Sequence, residues 1–127
     1  SQAHQRVVLS ELFKGRSERA NLRLSRLVSA LRADDWKGAF ELSWAEFWDM
    51  HALFETSSPP FGYMSAFSVE VLHRVRELWQ KRKEVPLVTM DAGPNVHLLY
   101  RQDQSELARE INAEFSTRFK IFESSAL

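Results

Sequence analysis

The 127-residue sequence has no cysteine, which excludes disulfides, thiol catalysis and the usual cysteine-based structural zinc site. The redox compartment stays open, with a cytoplasmic location as the default expectation. Net charge is absent too. Seventeen Lys and Arg face seventeen Asp and Glu, so no overall field draws the chain to nucleic acid, and any anion site must be local. No apolar run approaches the roughly 20 residues of a membrane-spanning helix, so a soluble chain without a membrane partner is expected. Glycine is scarce, and neither a GxxxxGK[ST] loop nor a glycine-rich equivalent is there to cradle a phosphate. His4, His51, His73 and His97 are scattered, with no HxH or HExxH pair, so no metal site is expected.

What is present suits one globular domain: 44% hydrophobic residues, 27% charged, and too many Phe and Trp for disorder. The opening Ser1-Gln2-Ala3-His4-Gln5-Arg6 has neither an initiator methionine nor the basic-then-apolar layout of a signal peptide, and reads as an internal cut.

Between Arg6 and Arg32, Leu24, Leu27, Val28 and Leu31 fall at the i, i+3, i+4, i+7 spacing of a helix face, predicting a surface helix with one buried stripe. Gly15 interrupts its start. Arg16, Arg19, Arg23 and Arg26 read as its solvated face, which could also receive an acidic partner. A second helix is predicted over 36–54, with Trp36, Phe40, Phe47, Met50 and Phe54 on one broad face widened by Trp44 and Trp48. This aromatic stripe reads as core, and His51 beside it as a satisfied, partly buried histidine. Ser57-Ser58-Pro59-Pro60 ends that helix, because proline lacks an N–H and forces its predecessor out of helical angles. The cis or trans state of its Ser-Pro and Pro-Pro bonds stays open.

A third helix is predicted over 65–82, with Val69, Leu72, Val75 and Trp79 inward. Strands are then expected at 87–90 and 96–100 around the turn-forming Asp91-Ala92-Gly93-Pro94-Asn95. Asp103 and Glu106, at capping-box spacing, open a fourth helix with a Leu107, Ile111, Phe115 stripe, and a last strand is expected over 118–122. The order implies an α+β fold, with helices on one face of a small antiparallel sheet.

The segment Thr89-Met90-Asp91-Ala92-Gly93-Pro94-Asn95-Val96 resembles the signature of mevalonate-diphosphate decarboxylases, enzymes of isoprenoid synthesis in the GHMP kinase superfamily. Ser10-Glu11-Leu12-Phe13-Lys14, and Met50-His51-Ala52 leading through Ser58-Pro59-Pro60-Phe61 to Tyr63-Met64, are similar to the same family in the same order. The resemblance spans essentially the whole chain but only the second half of the family's protein. It implies a ferredoxin-like sandwich of the GHMP kinase C-terminal type, with the phosphate-gripping N-terminal domain of the same protein as a missing partner. ATP and Mg2+ are then cofactors bound mainly by that half, mevalonate diphosphate is the substrate, and the full-length enzyme forms a homodimer.

By the same resemblance Asp91 is the catalytic aspartate, accepting or orienting the proton of the substrate's 3-hydroxyl. Ala92 and Gly93, without bulky side chains, let backbone approach the substrate. His4 lies in a segment resembling the family's substrate-side loop. Taken without the resemblance, an Asp before Ala-Gly-Pro is a turn residue bonding its own backbone. Two rivals remain at this point: a kinase or decarboxylase acting on another mevalonate derivative, such as the monophosphate, and a non-catalytic binding module in which Asp91 only shapes the turn.

Overall fold

A computed structural model describes residues 2–124, with side chains from Gln5 onward. The elements run α1 (Gln2–Val7), α2 (Arg16–Arg32), α3 (Trp36–Glu55), α4 (Ala66–Arg82), β1 (Leu87–Thr89), β2 (His97–Leu99) and α5 (Ser105–Phe115), the last entered through a 3-10 turn at Gln102–Gln104. Helices dominate a small antiparallel hairpin, the expected α+β class.

Helix α3 is the spine. Asp35 starts it by accepting a hydrogen bond from the Gly38 N–H at 2.9 Å, as an N-cap does. Ala39, Phe40, Phe47, Leu53 and Phe54 are buried along it, and Phe40 stacks on Trp79 of α4 with 4.4 Å between ring centroids. Trp44 and Trp48 lie half-buried against the same core, as their spacing predicts. On α4, Leu72, Val75 and Trp79 are buried and Val69 is half-buried. Ser65 and Ser68 form a reciprocal capping box at its start.

The apolar run Val85, Leu87, Val88 and Met90 carries β1 into the core against α3. The strands pair Leu87 with Leu99, Val88 with Leu98 and Thr89 with His97. That register closes the hairpin over the segment containing Asp91 and brings the start of β2 beside the end of β1.

Four expectations need correction. The helix drawn through 6–32 is two helices: Gly15, at φ 81°, sits in the left-handed region that favours glycine and precedes α2, while turns occupy the residues after α1. The leucine stripe of α2 is not buried. Leu24 is 60% exposed, Val28 and Leu31 are also exposed, and of the stripe only Leu27 packs against the core, beside the buried Ala30. The arginine side of α2 faces α3 instead. Arg16 makes a bidentate pair with Glu46 at 3.0 and 2.5 Å, and Arg19 grips Asp49 through Nε and Nη2 at 2.8 and 2.9 Å. Arg23 reaches the same Asp49 at 2.5 Å. Charge complementarity orients this helix where apolar spacing was expected to.

Residues 118–122 form no strand, so among the described residues the sheet has two strands where three were expected. After α5 the chain turns through bonds from the Arg118 and Phe119 N–H groups to Phe115 O, and Phe119 packs edge-on against Phe115 and Phe67. Finally, Asp103 does not cap α5. It pairs with Arg101 at 2.9 Å, while Gln104 Oε1 accepts the Arg101 N–H at 2.8 Å. The stripe Leu107, Ile111 and Phe115 is buried as predicted. The Ser58–Pro59 bond is cis.

Candidate functional site

Asp91 stands just past the end of β1, and its side chain is 91% exposed. The turn is closed by backbone, with the Gly93 N–H donating to Asp91 O at 2.8 Å. Among the described residues the carboxylate's neighbour is His97, whose Nε2 lies 3.5 Å from Oδ2. An aspartate present to shape a turn binds backbone with its side chain. This one leaves that task to the main chain and presents its charge to solvent.

The loop is nevertheless held firmly from behind. His51, on the inner face of α3 and 2% exposed, donates from Nε2 to Asp91 O at 3.1 Å, since a carbonyl oxygen can only accept. Its other nitrogen, Nδ1, is buried without a partner among the described residues. Burial lowers the His51 pKa, against the opposing influence of the bond to Asp91 and of Glu55, so the ring is held neutral. At the far end, the Ser68 hydroxyl, 3% exposed, donates to Pro94 O at 2.5 Å while serving the α4 capping box.

The other expected site residues are placed less tightly. Ala92 is exposed and Gly93 half-exposed. A Cβ added at Gly93 would meet nothing within 4 Å, so nothing in this chain requires glycine there. His4 lies on α1, but its side chain falls outside the described residues. His51 and His97 are the residues that sequence reasoning missed. The hairpin register alone could have flagged His97, since pairing Thr89 with His97 sets it at the mouth of the turn.

A surface groove of about 630 Å3 lies between α4 and α5 beside Glu70, Arg74, Glu114 and Phe119, with Asp91 not among its lining residues. Among the described residues no three His, Asp or Glu side chains gather closely enough to hold a metal ion, and no helix is long and apolar enough to cross a membrane.

The family model described as mevalonate 5-diphosphate decarboxylase C-terminal domain matches residues 2–125. The chain belongs to this family. Among solved structures, a mevalonate diphosphate decarboxylase from Legionella pneumophila is 43% identical with a TM-score of 0.84, over 88% of this chain and 36% of that one. The mevalonate diphosphate decarboxylase from Enterococcus faecalis, in a structure described by its mevalonate diphosphate mediated ATP binding mechanism, is 29% identical with a TM-score of 0.77, over 89% of this chain and 35% of that one. A related structure, MDDEF in complex with MVAPP, AMPPCP and magnesium, is 29% identical with a TM-score of 0.75, over 86% of this chain and 33% of that one. The chain therefore spans about a third of the length of these relatives. Nothing among the curated proteins matches it.

Proposed function

We propose that this chain is the C-terminal domain of an ATP-dependent decarboxylase that converts mevalonate 5-diphosphate to isopentenyl diphosphate, phosphate and carbon dioxide. The observation that carries the reading is Asp91: a carboxylate on the family's signature turn, 91% exposed, on a backbone anchored by two buried side chains and free of any turn-shaping bond of its own. Its role is to accept or orient the proton of the substrate's tertiary 3-hydroxyl as that oxygen takes up a phosphoryl group. The open side of Gly93 and the small Ala92 leave room for the substrate to lie along the turn.

The described residues do not fit ATP or Mg2+. They contain no glycine-rich phosphate loop and no gathered metal ligands, so no step is assigned to them through either group. Nucleotide, metal and the substrate diphosphate fall to the N-terminal domain of the same protein, and the working enzyme is a cytoplasmic homodimer of full-length chains.

The test is steady-state kinetics of full-length Asp91→Asn beside its melting curve. Asn keeps the size but loses the charge, so kcat and kcat/KM should fall together by about 10²–10⁴-fold, typical of a positioned acid–base group. The melting temperature should hold, because the side chain is exposed. Near-wild-type kcat would refute the catalytic role, and loss of affinity with kcat preserved would make Asp91 a binding residue. The isolated chain should release no carbon dioxide from mevalonate diphosphate; turnover by it, abolished by Asp91→Ala, would overturn the division of labour.

A further inference from the structure

We infer that His51 is a positioning residue for Asp91, an inference that rests on the catalytic role proposed for that aspartate. Among the described residues the carboxylate has no polar partner but His97 and is 91% exposed, so its direction is set by the backbone that carries it. That backbone is fixed at one oxygen. Asp91 O accepts from the Gly93 N–H at 2.8 Å and from His51 Nε2 at 3.1 Å, which orients the peptide plane between Asp91 and Ala92 and with it the Cα–Cβ bond of the aspartate. Ser68 performs the matching task at Pro94 O. The acid therefore stands on a loop tied to α3 at its start and to α4 at its end, by side chains from residues 40 and 26 positions away in the sequence.

Packing alone does not account for a histidine at this place. The neighbouring inward positions of α3 are Phe47, Leu53 and Phe54, and an apolar side chain at 51 would fill the same space. Histidine instead buries an unpartnered Nδ1, which is destabilising. The residue tolerates that because its Nε2–H reaches Asp91 O. A side chain that leaves one nitrogen unpartnered while its other bond fixes the backbone of a candidate catalytic group is what positioning requires.

The experiment compares three variants of the full-length enzyme. His51→Leu fills the space and removes the donor, whereas His51→Gln keeps an N–H at similar reach. The expected result for His51→Leu is a kcat lowered by about 10–100-fold, the scale for misplacing a reacting group by about an ångström, with KM changed less than about twofold and the melting temperature not lowered. His51→Gln should recover kcat to within about fivefold of wild type. Wild-type kcat in His51→Leu, or equal loss in both variants, overturns the inference, the second because it would show a packing role without the donor. Nitrogen NMR of the wild-type imidazole supplies a readout independent of how the variants fold: the protonated Nε2 tautomer is expected, and the Nδ1-protonated tautomer refutes the bond. Asp91→Asn, run in parallel, separates the two claims. Turnover retained there sinks the aspartate's role and this inference with it. A slow Asp91→Asn beside a fast His51→Leu sinks only the role of His51.

Discussion

Replacing Asp49 by Asn should cost this chain about 2 kcal/mol at neutral pH, and nearly half of that cost should disappear by pH 3. The Asp49 side chain is 7% exposed and receives Arg19 through two bonds, Arg23 through one, and the charge of Arg16 at 3.5 Å. The hydrogen bonds from Arg19 lead in holding its pKa at about 2 against a usual 3.8, with Arg23 and Arg16 adding to them and burial opposing. A carboxyl depressed on folding contributes stability that is fully present above its unfolded pKa and is lost as pH falls through the folded one, so the window here runs from about pH 4 down to about pH 2. At 1.36 kcal/mol per pH unit, the difference is worth about 2.4 kcal/mol at pH 5 and about 1.3 kcal/mol at pH 3. Asn retains an acceptor, and Arg16 keeps Glu46, so the loss should stay below the roughly 3–5 kcal/mol of a fully broken buried pair. Urea unfolding of wild type and Asp49→Asn at pH 5 and pH 3 reads both numbers, the gap narrowing by about 1 kcal/mol between them. A gap below about 0.5 kcal/mol at pH 5, the range of an exposed pair, or one unchanged at pH 3, would refute the account of how α2 is held.

Two stability predictions follow from the core. Trp44 packs on Phe40 and Phe47 with centroids 5.6 and 5.3 Å away, and Trp48 on Phe47 at 5.6 Å, so Trp→Ala at either should lose stability near the lower end of the roughly 3–5 kcal/mol of buried large aromatics; unchanged urea midpoints for both would remove the claim. The Tyr100 hydroxyl is buried without a partner among the described residues, and burial alone raises its pKa to about 12. Tyr100→Phe should therefore be neutral or stabilising by up to about 1 kcal/mol, and a loss above that would show that the hydroxyl has a partner.

The α3, α4 and α5 helices were legible because large apolar residues repeat along one face of each and clear stop signals follow, such as Pro59 after α3. The same rule misread α2. Leu24, Val28 and Leu31 have the spacing of a buried stripe, but the helix docks through Arg16, Arg19 and Arg23, whose partners Glu46 and Asp49 are some 30 residues distant. Long-range charge pairing leaves no local periodicity. The missing strand has a related cause: Phe119 and Ile121 alternate because their side chains reach the core, and alternation records side-chain burial without showing that the backbone has a ladder partner. At the candidate site, the motif in the sequence marked Asp91 and its turn, whereas the contact of His51 to a backbone oxygen 40 residues away is one that no spacing rule encodes.

The distribution of positive charge around Asp91 fits the division of labour proposed above. A diphosphate is gripped by guanidinium or ammonium groups free to face it. Here Arg16, Arg19 and Arg23 are committed to Glu46 and Asp49, and Arg74, Arg82, Arg101 and Arg118 to other carboxylates; among the described residues no Lys or Arg, paired or not, makes an ion pair with Asp91. Near Asp91 the described residues offer one ion-pairing group, His97, which is charged only when protonated. A turn so armed can handle a proton, but it cannot by itself retain a multiply charged substrate against water. The rigidity behind Asp91 and the bareness around it are thus complementary under the proposed function: the described residues hold one carboxylate still, and the division of labour proposed above assigns the affinity for phosphate to a second surface brought against the turn.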